Sequence, residues 1–133
     1  MSTEEKILRT YNKIAVVGLS AKPDRPSNGV ARYLKEQGYT IIPVNTYAKE
    51  ILGETCYPDL SSIPVHVDVV DIFRRPDAVI PIVKEAIKIG AKAVWMQEGV
   101  INEEAAALAK DAGLLVVIDK CMFKEHKKLQ SNM

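Results

Sequence analysis

Five short apolar runs recur along the chain, each giving way to a glycine or a polar turn: KIAVVGL (13–19), YTIIPVN (39–45), VDVVDIF (67–73), AKAVWM (91–96) and LLVVI (114–118). None alternates apolar with polar, so each suits a strand covered on both faces, as in a parallel sheet. Helical periodicity fills the gaps. NGVARYLKEQG (28–38) sets Val30, Leu34 and Gln37 on one face beside Tyr33, and Gly38 stops it. RPDAVIPIVKEAIKIG (75–90) aligns Val79, Ile82, Val83, Ala86 and Ile87, with Pro76 in the first turn and Gly90 at the end. NEEAAALAKDAG (102–113) carries Asn102 as a cap and Glu103 and Glu104 at its positive end. Ser2 and Glu5 have the capping-box spacing of a leading helix running to about Tyr11, and residues 121–130 predict a final short helix. Residues 46–66 read as loop. Strand and helix alternate throughout, which predicts an α/β three-layer sandwich with a mostly parallel five-stranded sheet and right-handed crossovers.

A chain of 133 residues fits one domain, 1–133, able to bury a core without staples. The formal net charge of +1 gives no general attraction to nucleic acid or to an anionic membrane. No apolar run approaches the roughly 18 residues of a membrane span, and MSTEEKILRT is no signal peptide, so a cytoplasmic location is expected. Two cysteines, Cys56 and Cys121, and two histidines, His66 and His126, lack zinc-ligand spacing, so no metal is expected.

In open parallel sheets, ligands sit beyond the carboxyl ends of the strands. The first such end, GLSAKPDRPSN (18–28), has the clearest chemistry. Gly18 and Ser20 allow close backbone approach, Ser20 and Ser27 can donate to phosphate oxygens, and Lys22 and Arg25 add charge. A helix beginning near Asn28 would add free N–H groups. The alternative is a solvated turn with a helix cap. A dinucleotide enzyme would need G-x-G-x-x-G and an acid about 20 residues on. The glycine pattern is missing, and PVNTY places Val44, Asn45 and Thr46 at the acid's position.

Arg74 and Arg75 follow the third run and either meet an anion or face water. Gln97, Glu98 and Gly99 form a polar turn at the fourth strand end. Cys121 follows the last strand, either as a thiol activated at a helix N-terminus or as an inert one. No nucleophile elbow, P-loop or zinc-protease motif is present, so no catalytic residue is assigned. Asp68 and Asp71, three apart in a strand, point to opposite faces and form no carboxylate pair.

In their order and spacing, AVVGLSAKPDRPSNGVARYLKEQGY, IIPVN, LGETCYPDLSSIP, VDIFRRPDAV and AVWMQEGVINEEAAALAKDAGLLVVIDKC resemble the stand-alone CoA-binding protein family. That family is similar to the N-terminal CoA-binding domain of the succinyl-CoA synthetase alpha subunit. The resemblance spans about residues 10 to 130. It implies a Rossmann-like domain holding coenzyme A, or an acyl-CoA, across the strand ends. Gly18, Leu19, Ser20, Lys22, Arg25, Pro26, Ser27 and Asn28 would hold the nucleotide and its phosphates. Val44 and Asn45 would line the cleft, Phe73 and Arg74 would flank the adenine or ribose, and Gln97, Glu98 and Gly99 would complete the site. The synthetase's second domain, with its phosphorylated histidine, has no counterpart in these residues, so the resemblance implies binding without ligase chemistry. A carrier, a sensor, an enzyme partner and a homodimer all remain open. So do a redox role through a mixed disulfide between Cys121 and coenzyme A, and an NAD- or nucleotide-binding regulator.

Overall fold

The computed structural model describes residues 1–131. Its strands are β1 (Lys13–Val17), β2 (Thr40–Val44), β3 (Glu50–Ile51), β4 (Glu54–Thr55), β5 (Val69–Ile72), β6 (Ala93–Met96) and β7 (Leu115–Val117). Its α-helices are α1 (Thr3–Thr10), α2 (Pro26–Glu36), α3 (Val79–Lys88), α4 (Glu103–Asp111) and α5 (Met122–Ser131). The main sheet has the order β2-β1-β5-β6-β7, with every pairing parallel. This is the Rossmann-like three-layer arrangement that the alternating pattern predicts. After β1 the chain steps outward to β2, then crosses back past β1 to β5. The order therefore reverses between β1 and β5, where an open α/β sheet leaves a crevice.

The continuous apolar runs have a direct cause. One face of the sheet, with Ala15, Val17, Val70, Ile72, Val94 and Met96, packs with Val83 and Ala86 of α3 and Ala105 and Ala109 of α4. The opposite face, with Ile14, Val16, Val69 and Trp95, packs with Ile7 of α1, Leu34 of α2 and Met122 of α5. Residues pointing either way are thus buried, and a polar alternation would leave polar groups in the core. Trp95 has no exposed surface, and its indole N–H is satisfied by the Lys120 carbonyl at 2.9 Å.

Helix boundaries follow local chemistry. Ser2 Oγ accepts from the Glu5 amide at 3.0 Å, and Asn102 Oδ1 accepts from the Ala105 amide at 2.9 Å. Two expectations shift. The second helix begins at Pro26, not near Asn28, because the fixed φ of proline suits the first helical position. Residues 75–90 open with a 3₁₀ turn, Pro76–Ala78, before α3. The stretch read as loop also holds the small antiparallel β3–β4 pair and a 3₁₀ turn, Leu60–Ser62. That turn is anchored by Glu85 of α3, which accepts from the Leu60 and Ser61 amides at 3.2 and 3.1 Å. No helix among the described residues is long and apolar enough to cross a membrane.

Candidate functional site

Above the β1–β5 reversal lies a cleft of about 1100 Å³. The register aligns Val17 with Val44 and Ile72, and Ile72 with Met96, so these strands end on one level and their exit turns share a rim. Gly18 leaves β1 with φ +88° and donates to the Val44 carbonyl at 2.9 Å. A Cβ placed there would run into the Phe73 carbonyl and lie 3.0 Å from Arg74 Cδ. The glycine is therefore required by the neighbouring strand exit, in addition to any ligand, which revises the reason assigned to it from the sequence.

The loop that follows is held by its own side chains. The Ser20 amide donates to Ser27 Oγ at 3.0 Å, and the Lys22 amide donates to Ser20 Oγ at 3.1 Å. Each hydroxyl thus has a lone pair occupied, while its O–H proton has no acceptor among the described residues. Both residues line the cleft. What the loop offers there is a pair of O–H donors, a match for acceptor-only oxygens such as those of phosphate. The start of α2 contributes less than expected. Pro26 has no N–H, and the Asn28 and Gly29 amides already donate to the Arg25 carbonyl at 3.1 and 3.2 Å. In that first turn the Ser27 amide is left without a partner among the described residues.

Of the residues singled out from the sequence, Gly18, Ser20, Lys22, Arg25, Pro26 and Ser27 come together on one wall. Phe73, Arg74, Gln97, Glu98 and Gly99 line the same cleft. Four do not reach it. Leu19 and Val44 are buried in the core. Asn28 is buried, and its side-chain amide donates to the Ser20 carbonyl at 2.9 Å. Asn45 donates to the Leu19 carbonyl at 2.7 Å and accepts from the Tyr47 and Ala48 amides. Polar residues at strand ends serve the turn or the ligand, and residue type alone does not distinguish the two.

Sequence reasoning missed Tyr47 and Val100. Tyr47 is largely exposed, borders the cleft and accepts from the Ala21 amide at 3.2 Å through its hydroxyl, so it clasps the loop from outside. Cys121, considered from the sequence as a neighbour of the site, lines it.

Charge on the rim favours an anion. Lys22, Arg25 and Arg74 line the cleft and form no ion pair among the described residues. Arg75 lies 3.5 Å from Asp77. Glu98, the one carboxylate in the lining among the described residues, is paired with Lys124 at 2.8 Å. Behind Gln97, which lines the cleft, lies an unexpected buried group. Asp71 has no exposed surface and accepts from Gln97 Nε2 at 2.6 Å through Oδ1. Burial pushes its carboxyl up to about 7, against the lowering effect of the Gln97 hydrogen bond.

The hydroxyl pair, the Ser27 amide and the three free cations suit the phosphates of a nucleotide, and the cleft's volume suits a long ligand. The chain is 38% identical over 122 residues to the uncharacterized protein YneT of Bacillus subtilis, covering 92% of this chain and 90% of that one. A solved hypothetical protein from Pyrococcus horikoshii OT3 is 44% identical with a TM-score of 0.94, over 98% of this chain and 93% of the other. An ADP-forming acetate–CoA ligase of Archaeoglobus fulgidus is 27% identical over 119 residues, which cover 82% of this chain and 17% of the ligase. Residues 12–127 match the CoA binding domain family, and the chain belongs to that family.

Proposed function

We propose that this protein binds coenzyme A or an acyl-CoA in the cleft above the carboxyl ends of the strands, without ligase chemistry of its own. One observation carries the reading: the Ser20 and Ser27 hydroxyls, each accepting one backbone N–H and with its own proton undonated among the described residues, face the same cleft as Lys22, Arg25 and Arg74. The diphosphate and ribose phosphate of coenzyme A are multiply charged acceptors, which such a wall recognises. An NAD-type ribose would want a carboxylate after β2, where Asn45 is instead committed to the turn. Family membership supports the same ligand.

Native mass spectrometry and calorimetry on the purified protein test it. Retained or titrated coenzyme A is the expected result. Thermal stabilisation by NAD and none by coenzyme A would overturn it. A second reading rests on Cys121 lining the cleft. Its thiolate would attack a disulfide containing coenzyme A, forming the Cys121–coenzyme A disulfide and releasing the other sulfur as a thiol. That adduct would appear as a mass increase removed by reductant and absent from Cys121→Ala.

A further inference from the structure

Asp71 is a buried acid that neither the packing of the sheet nor the anion chemistry of the rim requires. Its Oδ2 is the one buried side-chain oxygen or nitrogen without a partner among the described residues. An isosteric apolar residue would fill the same space without that cost. The carboxyl's single hydrogen bond among the described residues is therefore informative. Asp71 is in register with Trp95 on β6, so Gln97, two residues on, stands diagonally from it on the same face and at the cleft end of the strand. Gln97 Nε2 donates to Asp71 Oδ1 at 2.6 Å. Gln97 Oε1 accepts from no donor among the described residues and is not among the buried unpartnered atoms, so it is the end of the amide that opens to the cleft.

We propose that Asp71 is a positioning residue that selects which end of the Gln97 amide faces the cleft. An ionised carboxylate only accepts, so it takes the NH₂ end and leaves the carbonyl outward. That point of the wall then takes an N–H, O–H or S–H donor and has no use for a phosphate oxygen. It fits the amide- and thiol-bearing arm of the ligand, not its diphosphate. This subsite rests on the coenzyme A reading for the ligand's identity; the Asp71–Gln97 coupling does not. A protonated Asp71 can donate to Gln97 Oε1 instead, letting the amide turn and present NH₂ outward.

The surroundings leave Gln97 as the partner. The flanking strands place Val16 and Trp95 at the Asp71 register. On the helices covering that face, Glu5 pairs with Arg9, Lys35 with Glu54, Glu125 with Lys128 and His126 with Tyr33. Arg32 donates to Asn28, and Lys124 holds Glu98 at the rim. Glu4, Lys6, Glu36 and Lys127 make no hydrogen bond to Asp71, and Cys121 lies on the cleft wall.

The test is side-chain amide NMR of ¹⁵N-labelled protein across the Asp71 titration. Calorimetry with coenzyme A follows at about pH 5.5 and about pH 8.5, on wild type, Asp71→Asn and Gln97→Leu. The Gln97 NH₂ signals should move with pH in wild type and stay still in Asp71→Asn. Signals that stay still in wild type, or move alike in both, overturn the proposal. Ligand phosphates titrate too, so the binding readout is the difference between proteins. Wild type should gain about tenfold over Asp71→Asn between the two pH values. Equal pH profiles overturn the subsite. If Asp71→Asn fails to fold, Gln97→Leu should weaken binding about tenfold at the higher pH and lose the excess pH dependence, and an unchanged affinity sinks it. Should wild type bind no coenzyme A at all, the ligand reading fails while the Gln97 signals still decide the coupling.

Discussion

The Asn28 side-chain amide donates to the Ser20 carbonyl at 2.9 Å, tying the first turn of α2 to the loop that leaves β1. The same side chain accepts from Arg32 one turn later at 3.0 Å. Asn28 thus shapes the cleft-lining loop without lining the cleft itself. In Asn28→Ala the Ser20 carbonyl loses its partner and the loop its anchor. Denaturant unfolding should show a loss of about 1–3 kcal/mol. Coenzyme A affinity should fall with it, as Ser20 and Ser27 lose their fixed spacing. Unchanged stability together with unchanged affinity would show that the loop holds itself.

Arg25 and Arg74 are exposed at the mouth of the cleft with no carboxylate partner among the described residues, so removing either leaves no orphaned charge behind. Arg25→Ala and Arg74→Ala should leave the melting temperature close to wild type. Each should weaken coenzyme A binding by about tenfold or more, since a charge-assisted hydrogen bond is the stronger kind. The slope of affinity against salt should also flatten, because phosphate attraction is screened. Calorimetry at two salt concentrations checks this; full affinity in both variants would place the phosphates elsewhere.

Gly18 is held at φ +88° with the Phe73 carbonyl where a Cβ would go. Even Gly18→Ala must push apart the exits of β1 and β5 or flip the turn. A loss of stability above the usual 1 kcal/mol or so of a glycine substitution is expected. Binding should fail along with it, because the same movement displaces Arg74. Thermal melts of Gly18→Ala beside Gly99→Ala separate the causes. Gly99 also has positive φ, +82°, but open space around it, so it should suffer only the conformational strain.

The fold was legible because the runs that became β1, β2, β5, β6 and β7 lack alternation, and a strand buried on both faces leaves that mark. Boundaries were harder. Pro26 reads as loop punctuation yet is the first residue of α2, since proline suits both roles. The candidate site was legible as a shared rim of strand ends, not as a set of contacts. Ser20 and Arg25 face the cleft, whereas Asn28 and Asn45 turn back to bond the backbone, and only three-dimensional hydrogen bonding tells them apart. Asp71 did leave a signal: an acid inside VDVVDIF, an apolar run of the kind that marks a strand covered on both faces, falls where a carboxyl would be buried. Gln97 as its partner depends on the β5–β6 register, which a sequence does not state.

Asp71 also predicts an unusual dependence of stability on pH. Its carboxyl titrates near 3.8 when unfolded and at about 7 in the folded protein, raised chiefly by burial. Between those values the native state holds a proton that the unfolded state has lost. Stability therefore falls as pH rises through that window, the reverse of a salt-bridged aspartate, and the full penalty stands above about pH 7. The penalty is roughly a few kcal/mol, as each tenfold change in a protonation equilibrium is worth about 1.4 kcal/mol. Asp71→Asn keeps an acceptor for Gln97 Nε2 and carries no charge. Relative to wild type, it should gain stability as pH is raised from about 5 to about 8. Urea unfolding of both proteins across that range checks the sign, since other titrating groups cancel in the difference. A constant difference would mean that Asp71 remains ionised in the folded protein throughout, with water reaching Oδ2.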